Sequence, residues 1–158
     1  MLLNLLIGLS TMAICLLLQA VLLVLAIRYY VGHISQVSSS SSWSVLWVIC
    51  AYMFMLVLGN LLQLTIWALV FLILGEFGAL AEAVYHSAVN FATLGYGDIV
   101  MSERHRLLGP LEAINGVIMI GVSTAALMTA LQDSLKRLMA GKNHLSSVEL
   151  RTGQKERE

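Results

Sequence analysis

The chain has 158 residues, of which 59% are hydrophobic and 11% are charged. A soluble domain carries roughly 25% charged residues, whereas here Arg28 is the only charged residue before Glu76. A soluble fold of this length has too small a core to bury so much apolar sequence. The composition therefore excludes an ordinary soluble domain and predicts a membrane protein.

The first predicted element is an apolar helix over about residues 2–27, within an N-terminal unit of residues 1–31. A spanning helix needs about 20 apolar residues, and this run has no preceding basic residue and exceeds the usual apolar part of a signal peptide. We therefore expect a retained transmembrane helix that lies outside the next one and touches lipid or a neighbouring subunit. Its interior polar residues are expected to form interhelical hydrogen bonds; they are Asn4, Ser10, Thr11 and Gln19.

Residues 32–44 form a polar connector with five consecutive serines at 38–42, which is typical of a flexible loop. Residues 45–75 then predict a second transmembrane helix, about 45 Å long at the helical rise, which must tilt or project beyond the lipid. Glycines at 75 and 78 break it. Residues 79–92 are apolar but too short to span, and they predict a re-entrant helix. Glu76 and Glu82 are expected to be solvated at the outer surface.

Residues 93–98 read Thr-Leu-Gly-Tyr-Gly-Asp. A file of backbone carbonyls that replaces the hydration shell of an ion requires unusual backbone conformations. Glycine adopts these readily, and Gly95 and Gly97 alternate here with ordinary residues. The segment therefore has the composition of a carbonyl-lined ion path.

The third transmembrane helix is predicted over residues 110–139, where Pro110 suits the first turn. A polar tail over residues 140–158 is expected to be mobile or weakly helical. Gly116 and Gly121 each cost about 1 kcal/mol relative to alanine inside a helix. They are candidate hinge residues, with Gly121 the better one, but close packing against another helix explains them equally well.

The distribution of basic residues predicts the orientation. With a cytoplasmic C-terminus and an external N-terminus, two basic residues, Arg104 and Arg106, lie outside. The other seven lie inside, as the positive-inside rule requires; they are Arg28, Lys136, Arg137, Lys142, Arg151, Lys155 and Arg157. We expect a multi-pass protein of the cell membrane.

Segment 93–98 resembles the selectivity filter of the tetrameric potassium channels, whose pattern is Thr-Val/Ile-Gly-Tyr/Phe-Gly-Asp. The resemblance extends over residues 45–139. It implies an all-α membrane protein with three transmembrane helices, a re-entrant pore helix and a filter loop, assembled as a homotetramer. It further implies that K⁺ binds the carbonyls of Thr93, Leu94, Gly95 and Tyr96, in a filter that includes Gly97. The Thr93 hydroxyl would complete the innermost site.

The resemblance also assigns roles around this filter. The ring of Tyr96 would pack outward against the pore helix, and Asp98 would place a carboxylate at the outer mouth. Two positions depart from the common pattern: Leu94 replaces Val or Ile, and Val89 occupies a position where well-studied members carry a carboxylate. These departures leave conduction expected and the degree of selectivity open.

Two pore-helix positions that are aromatic in some members are Tyr85 and His86 here. By register, Tyr85 is expected to hydrogen-bond Asp98. His86 titrates near neutral pH when unperturbed, so it is either an external proton sensor or a histidine with satisfied hydrogen bonds.

On the inner helix, Val122, Ala125 and Thr129 recur at the spacing of one helix face and would face a central cavity. A hydrophobic constriction that closes by dewetting is expected below them, at Leu131, Leu135 or Leu138.

The leading hypothesis is a passive potassium-selective channel. The alternatives are a weakly selective cation channel and a non-conducting membrane subunit. An enzyme is not expected, because the histidines are scattered and no metal-ligand or nucleophile spacing is present. No cofactor is expected besides K⁺ as the permeant ion, and the expected partners are three further copies of the chain and membrane lipid, not nucleic acid.

Overall fold

The computed structural model describes residues 1–34 and 42–155, and this part of the chain forms four α-helices without a β-strand. Three helices contain stretches long and apolar enough to cross a membrane, at Leu2–Ile34, Trp43–Ile73 and Leu108–Arg137. The chain is therefore an all-α, multi-pass membrane protein, as its composition predicts. Most of the serine run at 38–42 lies outside the described residues. The helices are α1 Leu2–Ile34, α2 Ser42–Ile73, α3 Leu80–Phe91 and α4 Leu108–Lys155.

A glycine-dependent cap ends α2. Gly75 has a φ of 73°, and its N–H donates to the Leu72 carbonyl at 3.0 Å. The N–H of Glu76 donates to the Phe71 carbonyl at 3.1 Å. This pair of bonds is a Schellman motif, in which the residue after the helix is left-handed and is usually glycine. The cap turns the chain back towards α3.

Helix α4 is longer than the predicted inner helix. Pro110 lies in its first turn, and it is the one proline of the chain. No later residue therefore lacks the N–H that a helix needs. The helix continues to Lys155 and includes much of the segment expected to be a polar tail.

Helix α1 buries several polar side chains and exposes many apolar ones. Its buried positions include Asn4, Thr11 and Gln19, whereas Leu2, Leu17 and many similar residues are exposed. This arrangement suits a helix in lipid, where polar side chains gain from bonding to neighbouring helices. Of the four polar residues predicted to bond between helices, Gln19 does so, whereas Asn4 bonds to the Arg104 carbonyl in the loop before α4. The prediction is wrong for Ser10 and Thr11, which bond to carbonyls of their own helix.

Helix α1 does not lie only outside α2, as the sequence suggests, because it also packs directly against α4. Near the end of α1, the Tyr30 hydroxyl contacts the Ala130 carbonyl at 3.0 Å and Ser134 Oγ at 2.8 Å. Near its start, the Cα of Gly8 faces Leu111 so closely that a Cβ would overlap that side chain. The small residue allows close approach of the two helices.

Two buried apolar clusters hold the helices together. One joins α1, α2 and α4 at the end of α1; it comprises Ala26, Tyr30, Ile34, Val45, Val48, Ile49, Tyr52, Leu56 and Ala130. The other joins all four helices around α3; it comprises Cys15, Trp67, Ala68, Phe71, Phe77, Ala83 and Leu108. The second cluster fixes α3 against its neighbours and thereby positions the segment that follows it.

Candidate functional site

Segment 93–98 follows α3 directly and has an alternating backbone. Thr93, Gly95 and Gly97 have φ values of 59°, 60° and 73°, whereas the residues between them have negative φ. In a regular strand successive residues face opposite sides. Alternating handedness instead turns successive peptide carbonyls towards the same side. The segment therefore presents a row of carbonyl oxygens, which is the chemistry that coordinates a dehydrated cation.

The first residue of this row is part of the cap of α3. Thr93 N–H donates to the Asn90 carbonyl and Leu94 N–H donates to the Val89 carbonyl, each at 2.8 Å. The pattern is the same Schellman motif that ends α2, with Thr93 in the position that Gly75 holds there. A β-branched residue at positive φ is strained, and such strain concentrates at functional sites. The C-terminal end of α3, where its dipole favours cations, meets the first carbonyls of the row.

The side chains of the segment are not covered by their own chain. Leu94 is 54% exposed and Tyr96 is 65% exposed. The Tyr96 ring is thus largely uncovered in one chain, and its packing against a pore helix stays a prediction. The row of carbonyls and these side chains together form an exposed surface.

Tyr85 and Asp98 form the hydrogen bond that their register predicts. The Tyr85 hydroxyl donates to Asp98 Oδ2 at 2.7 Å. This bond lowers the pKa of Asp98 below its ordinary value and raises the pKa of Tyr85. The carboxyl group that ends the segment is thus tied to α3 and kept anionic.

His86 is a buried histidine with both ring nitrogens satisfied. Its Nδ1 lies 3.0 Å from the Ile99 carbonyl, which can only accept, so Nδ1 carries a proton. Its Nε2 accepts from Asn90 Nδ2 at 2.8 Å. Burial lowers the pKa of His86 below its ordinary value, and its ring centroid lies 4.9 Å from that of Phe77, with the two ring planes tilted by 46°. Of the two open readings, the geometry favours the satisfied histidine, which holds the far end of the segment.

Glu76 is not the solvated surface carboxylate that the sequence suggests. It accepts from the Ser102 N–H and Oγ, each at 2.7 Å, and its Oε1 lies 2.5 Å from His105 Nδ1. Burial raises the pKa of Glu76, but these hydrogen bonds outweigh it and leave the pKa below its ordinary value. Glu76 therefore ties the end of α2 to the loop that links segment 93–98 to α4.

A buried carboxyl group lies behind α3, although Val89 itself is an apolar buried residue. Glu112 of α4 is fully buried and hydrogen-bonded to Ser87 of α3. The sequence contained a signal for it, because an ionisable residue inside an apolar spanning segment is a functional candidate by default. The position of Glu112 near the predicted start of the helix, where a solvated carboxylate is also expected, makes this signal ambiguous.

The two glycines of α4 have different surroundings. A Cβ at Gly116 would overlap the backbone carbonyl of Phe91, so Gly116 allows α4 to pack against the end of α3. A Cβ at Gly121 would have no neighbouring atom within 4 Å outside its own helix. Close packing therefore explains Gly116, and Gly121 stays the candidate hinge.

The predicted cavity and gate residues lie beyond Gly121 on α4. Val122, Ala125 and Thr129 share a groove of about 640 Å³ with residues of α1 and α2. Leu131 packs against the cluster around Tyr30, and Leu135 is exposed. The side chain of Leu138 lies outside the described residues.

Two observations bear on which ions or cofactors this site can hold. Among the side chains that the structure describes, at residues 1–34, 43–137 and 139, no three His, Cys, Asp or Glu cluster as a metal site would require. The carbonyls of segment 93–98 are the groups suited to a monovalent cation.

A family model described as ion channel matches residues 60–133. The matched region begins in the second half of α2 and contains α3, segment 93–98 and most of the apolar part of α4. Comparison with curated proteins and with solved structures found no match.

Proposed function

We propose that this chain, whose residues 60–133 match the ion channel family model, forms a potassium-selective channel from four identical subunits. The observation that carries the proposal is the alternating backbone of segment 93–98, with positive φ at Thr93, Gly95 and Gly97. This backbone follows the C-terminal end of a short helix that packs against both α2 and α4. In this role segment 93–98 is the selectivity filter and α3 is a re-entrant pore helix.

The filter acts by substituting carbonyl oxygens for water. K⁺ binds in the proposed pore between the carbonyls of Thr93, Leu94, Gly95 and Tyr96, and the Thr93 hydroxyl completes the innermost site. Each ion exchanges its hydration shell for these oxygens, and repulsion between ions at adjacent sites moves them on. Passage is passive and involves no chemical step.

Four copies are needed because one chain supplies one row of carbonyls. The exposure of Leu94 and Tyr96 supports this assembly, since 54% and 65% of these apolar or aromatic side chains lack cover. A neighbouring pore helix is the natural cover for them. Asp98, held anionic by Tyr85, then contributes to a ring of four carboxylates that concentrates cations at the outer mouth.

The channel lies in the cell membrane. The distribution of basic residues places the N-terminus and the filter loop outside and the C-terminus in the cytoplasm. The gate is assigned to α4. Val122, Ala125 and Thr129 line the cavity, and Gly121 is the hinge. Of the predicted constriction residues, Leu135 is exposed and is assigned this role, because Leu131 packs against the cluster around Tyr30.

The proposal is tested by ion flux into liposomes that contain the purified protein. Wild-type protein is compared with Gly95→Ala, which places a Cβ at a φ of 60°, and with Gly75→Ala, which does so at a φ of 73° outside the filter. We expect K⁺ flux well above Na⁺ flux, lost in Gly95→Ala and retained in Gly75→Ala. Equal flux of K⁺ and Na⁺ supports a weakly selective channel instead. Absence of flux together with a monomeric or dimeric protein supports a non-conducting subunit.

A further inference from the structure

The hydroxyl of Ser87 on α3 contacts oxygen atoms from two other helices. It lies 2.8 Å from the Leu64 carbonyl of α2 and also hydrogen-bonds Glu112 Oε1 of α4. Ser87 and Glu112 are both fully buried. One hydroxyl group therefore joins the three helices that surround the proposed filter.

The number of protons available determines which group donates in each of the two hydrogen bonds of Ser87. A serine hydroxyl has one proton to donate and lone pairs to accept with, whereas a carbonyl oxygen only accepts. The Ser87 proton therefore goes to Leu64, and the bond between Ser87 and Glu112 needs a proton from Glu112. An ionised carboxylate here is also costly, because a buried charge needs a partner. Among the described residues, no Lys, Arg or His forms an ion pair with Glu112.

We propose that Glu112 is a protonated carboxylic acid that positions the selectivity filter through Ser87. The bonds run from the Glu112 acid to the Ser87 hydroxyl and from Ser87 to the Leu64 carbonyl. They fix α3 between α2 and α4. This inference rests on the proposed function, and it places the buried carboxyl group on the inner helix instead of at Val89.

Two contacts transmit the position of Ser87 to the filter. One turn after it, the Asn90 carbonyl accepts the Thr93 N–H at 2.8 Å, at the start of the filter. Next to it, His86 donates to the Ile99 carbonyl at 3.0 Å, just after the filter. A displacement of α3 at Ser87 therefore moves both ends of the filter. Glu112 also faces the side chain of Asn90 on α3, a hydrogen-bond partner, and Cys15 of α1, which bonds to Asn115.

Four variants test the role by the ratio of Na⁺ to K⁺ flux in liposomes. Glu112→Gln keeps an N–H donor for Ser87, whereas Glu112→Leu and Ser87→Ala remove the bond. We expect a wild-type ratio in Glu112→Gln and a rise of about tenfold in each of the other two, as loss of one buried hydrogen bond implies. The double variant Ser87→Ala with Glu112→Leu is expected to rise no further than either single variant. Glu82→Gln, on the exposed side of α3, is the control.

Infrared difference spectroscopy tests the proton independently of conduction. We expect the carboxylic-acid C=O band of one residue in wild-type protein at neutral pH to vanish in Glu112→Gln. A carboxylate band in its place overturns the proposal, as does a flux ratio in Glu112→Gln as high as in Glu112→Leu. If Glu112→Leu does not assemble, the flux ratios of Glu112→Gln and Ser87→Ala test the proposal without it. Wild-type protein without K⁺ selectivity contradicts the proposed function, and the infrared result still decides the protonation of Glu112.

Discussion

Gln19 of α1 donates a hydrogen bond from Nε2 to Ser123 Oγ of α4 at 3.1 Å. The Oε1 of the same amide accepts from Gln63 Nε2 of α2 at 2.6 Å. All three side chains are buried, and Ser123 lies two residues beyond Gly121. One amide therefore joins three spanning helices beside the proposed hinge, which makes α1 an integral part of the packing of α4.

Replacing Gln19 by Leu is expected to destabilise the protein. The change removes the acceptor of the buried Gln63 amide, and a buried unsatisfied group costs about 1–3 kcal/mol, whereas Ser123 keeps its bond to Asn60. Ser10→Ala is the control, because the exposed Ser10 bonds only to carbonyls of its own helix, and a change within about 0.5 kcal/mol is expected there. Denaturation in mixed micelles measures both. Equal losses in the two variants would contradict the role of Gln19.

Replacing Tyr85 by Phe is expected to change the acid sensitivity of the outer mouth. The hydrogen bond from Tyr85 lowers the pKa of Asp98, so Asp98 stays anionic until the pH falls below the ordinary aspartate range. Without the hydroxyl, that pKa returns towards its ordinary value, and protonation occurs at a higher pH. We expect the external pH at which K⁺ conductance falls by half to rise in Tyr85→Phe. Tyr29→Phe, on α1, should leave it unchanged; an unchanged midpoint in both variants argues against the bond.

The contacts of Glu76 predict a loss of stability in acid. Because its pKa is lowered in the folded protein, its stabilising effect is present above the ordinary glutamate pKa and disappears as the pH falls through the lowered value. We expect the melting temperature of wild-type protein to fall more than that of Glu76→Gln between about pH 7 and pH 3. Parallel curves for the two proteins would show that these contacts contribute nothing. Glu82→Gln, an exposed position, should follow the wild type.

The two glycines of α4 form a matched pair for separating packing from hinge motion. Gly116→Ala introduces a Cβ against the Phe91 carbonyl, and overpacking of this kind costs about 1–3 kcal/mol. Gly121→Ala meets no neighbouring atom and is expected to stabilise α4 by up to about 1 kcal/mol while reducing the open probability in single-channel recordings. A Gly121→Ala channel that opens as often as wild type removes Gly121 as the hinge.

The sequence predicted the elements whose signals are local. The apolar runs predicted the spanning helices, and Gly95 and Gly97 predicted the unusual backbone of the filter segment. The strain at Thr93 was not predictable from its residue type, because threonine rarely takes positive φ. It arises from the cap that ends α3, where the bonds to Asn90 and Val89 force a left-handed residue.

Contacts between distant residues account for the features that the sequence did not reveal. The local sequence predicts a surface carboxylate at Glu76, because its partners, Ser102 and His105, follow it by more than 25 residues. The partner of Glu112 precedes it by 25 residues on another helix. The place of α1 against α4 depends on pairs about 100 residues apart, such as Tyr30 with Ala130. Periodicity and composition carry no information on which helix faces which.

The central claim is that segment 93–98 conducts K⁺ selectively, and the reversal potential under bi-ionic conditions tests it most directly. With K⁺ on one side of a planar bilayer and Na⁺ at equal concentration on the other, current through wild-type channels should reverse at a potential far from zero, of the sign set by K⁺ permeability. The carbonyl file supports this expectation. A reversal potential at zero, in channels that Gly95→Ala silences, would contradict potassium selectivity.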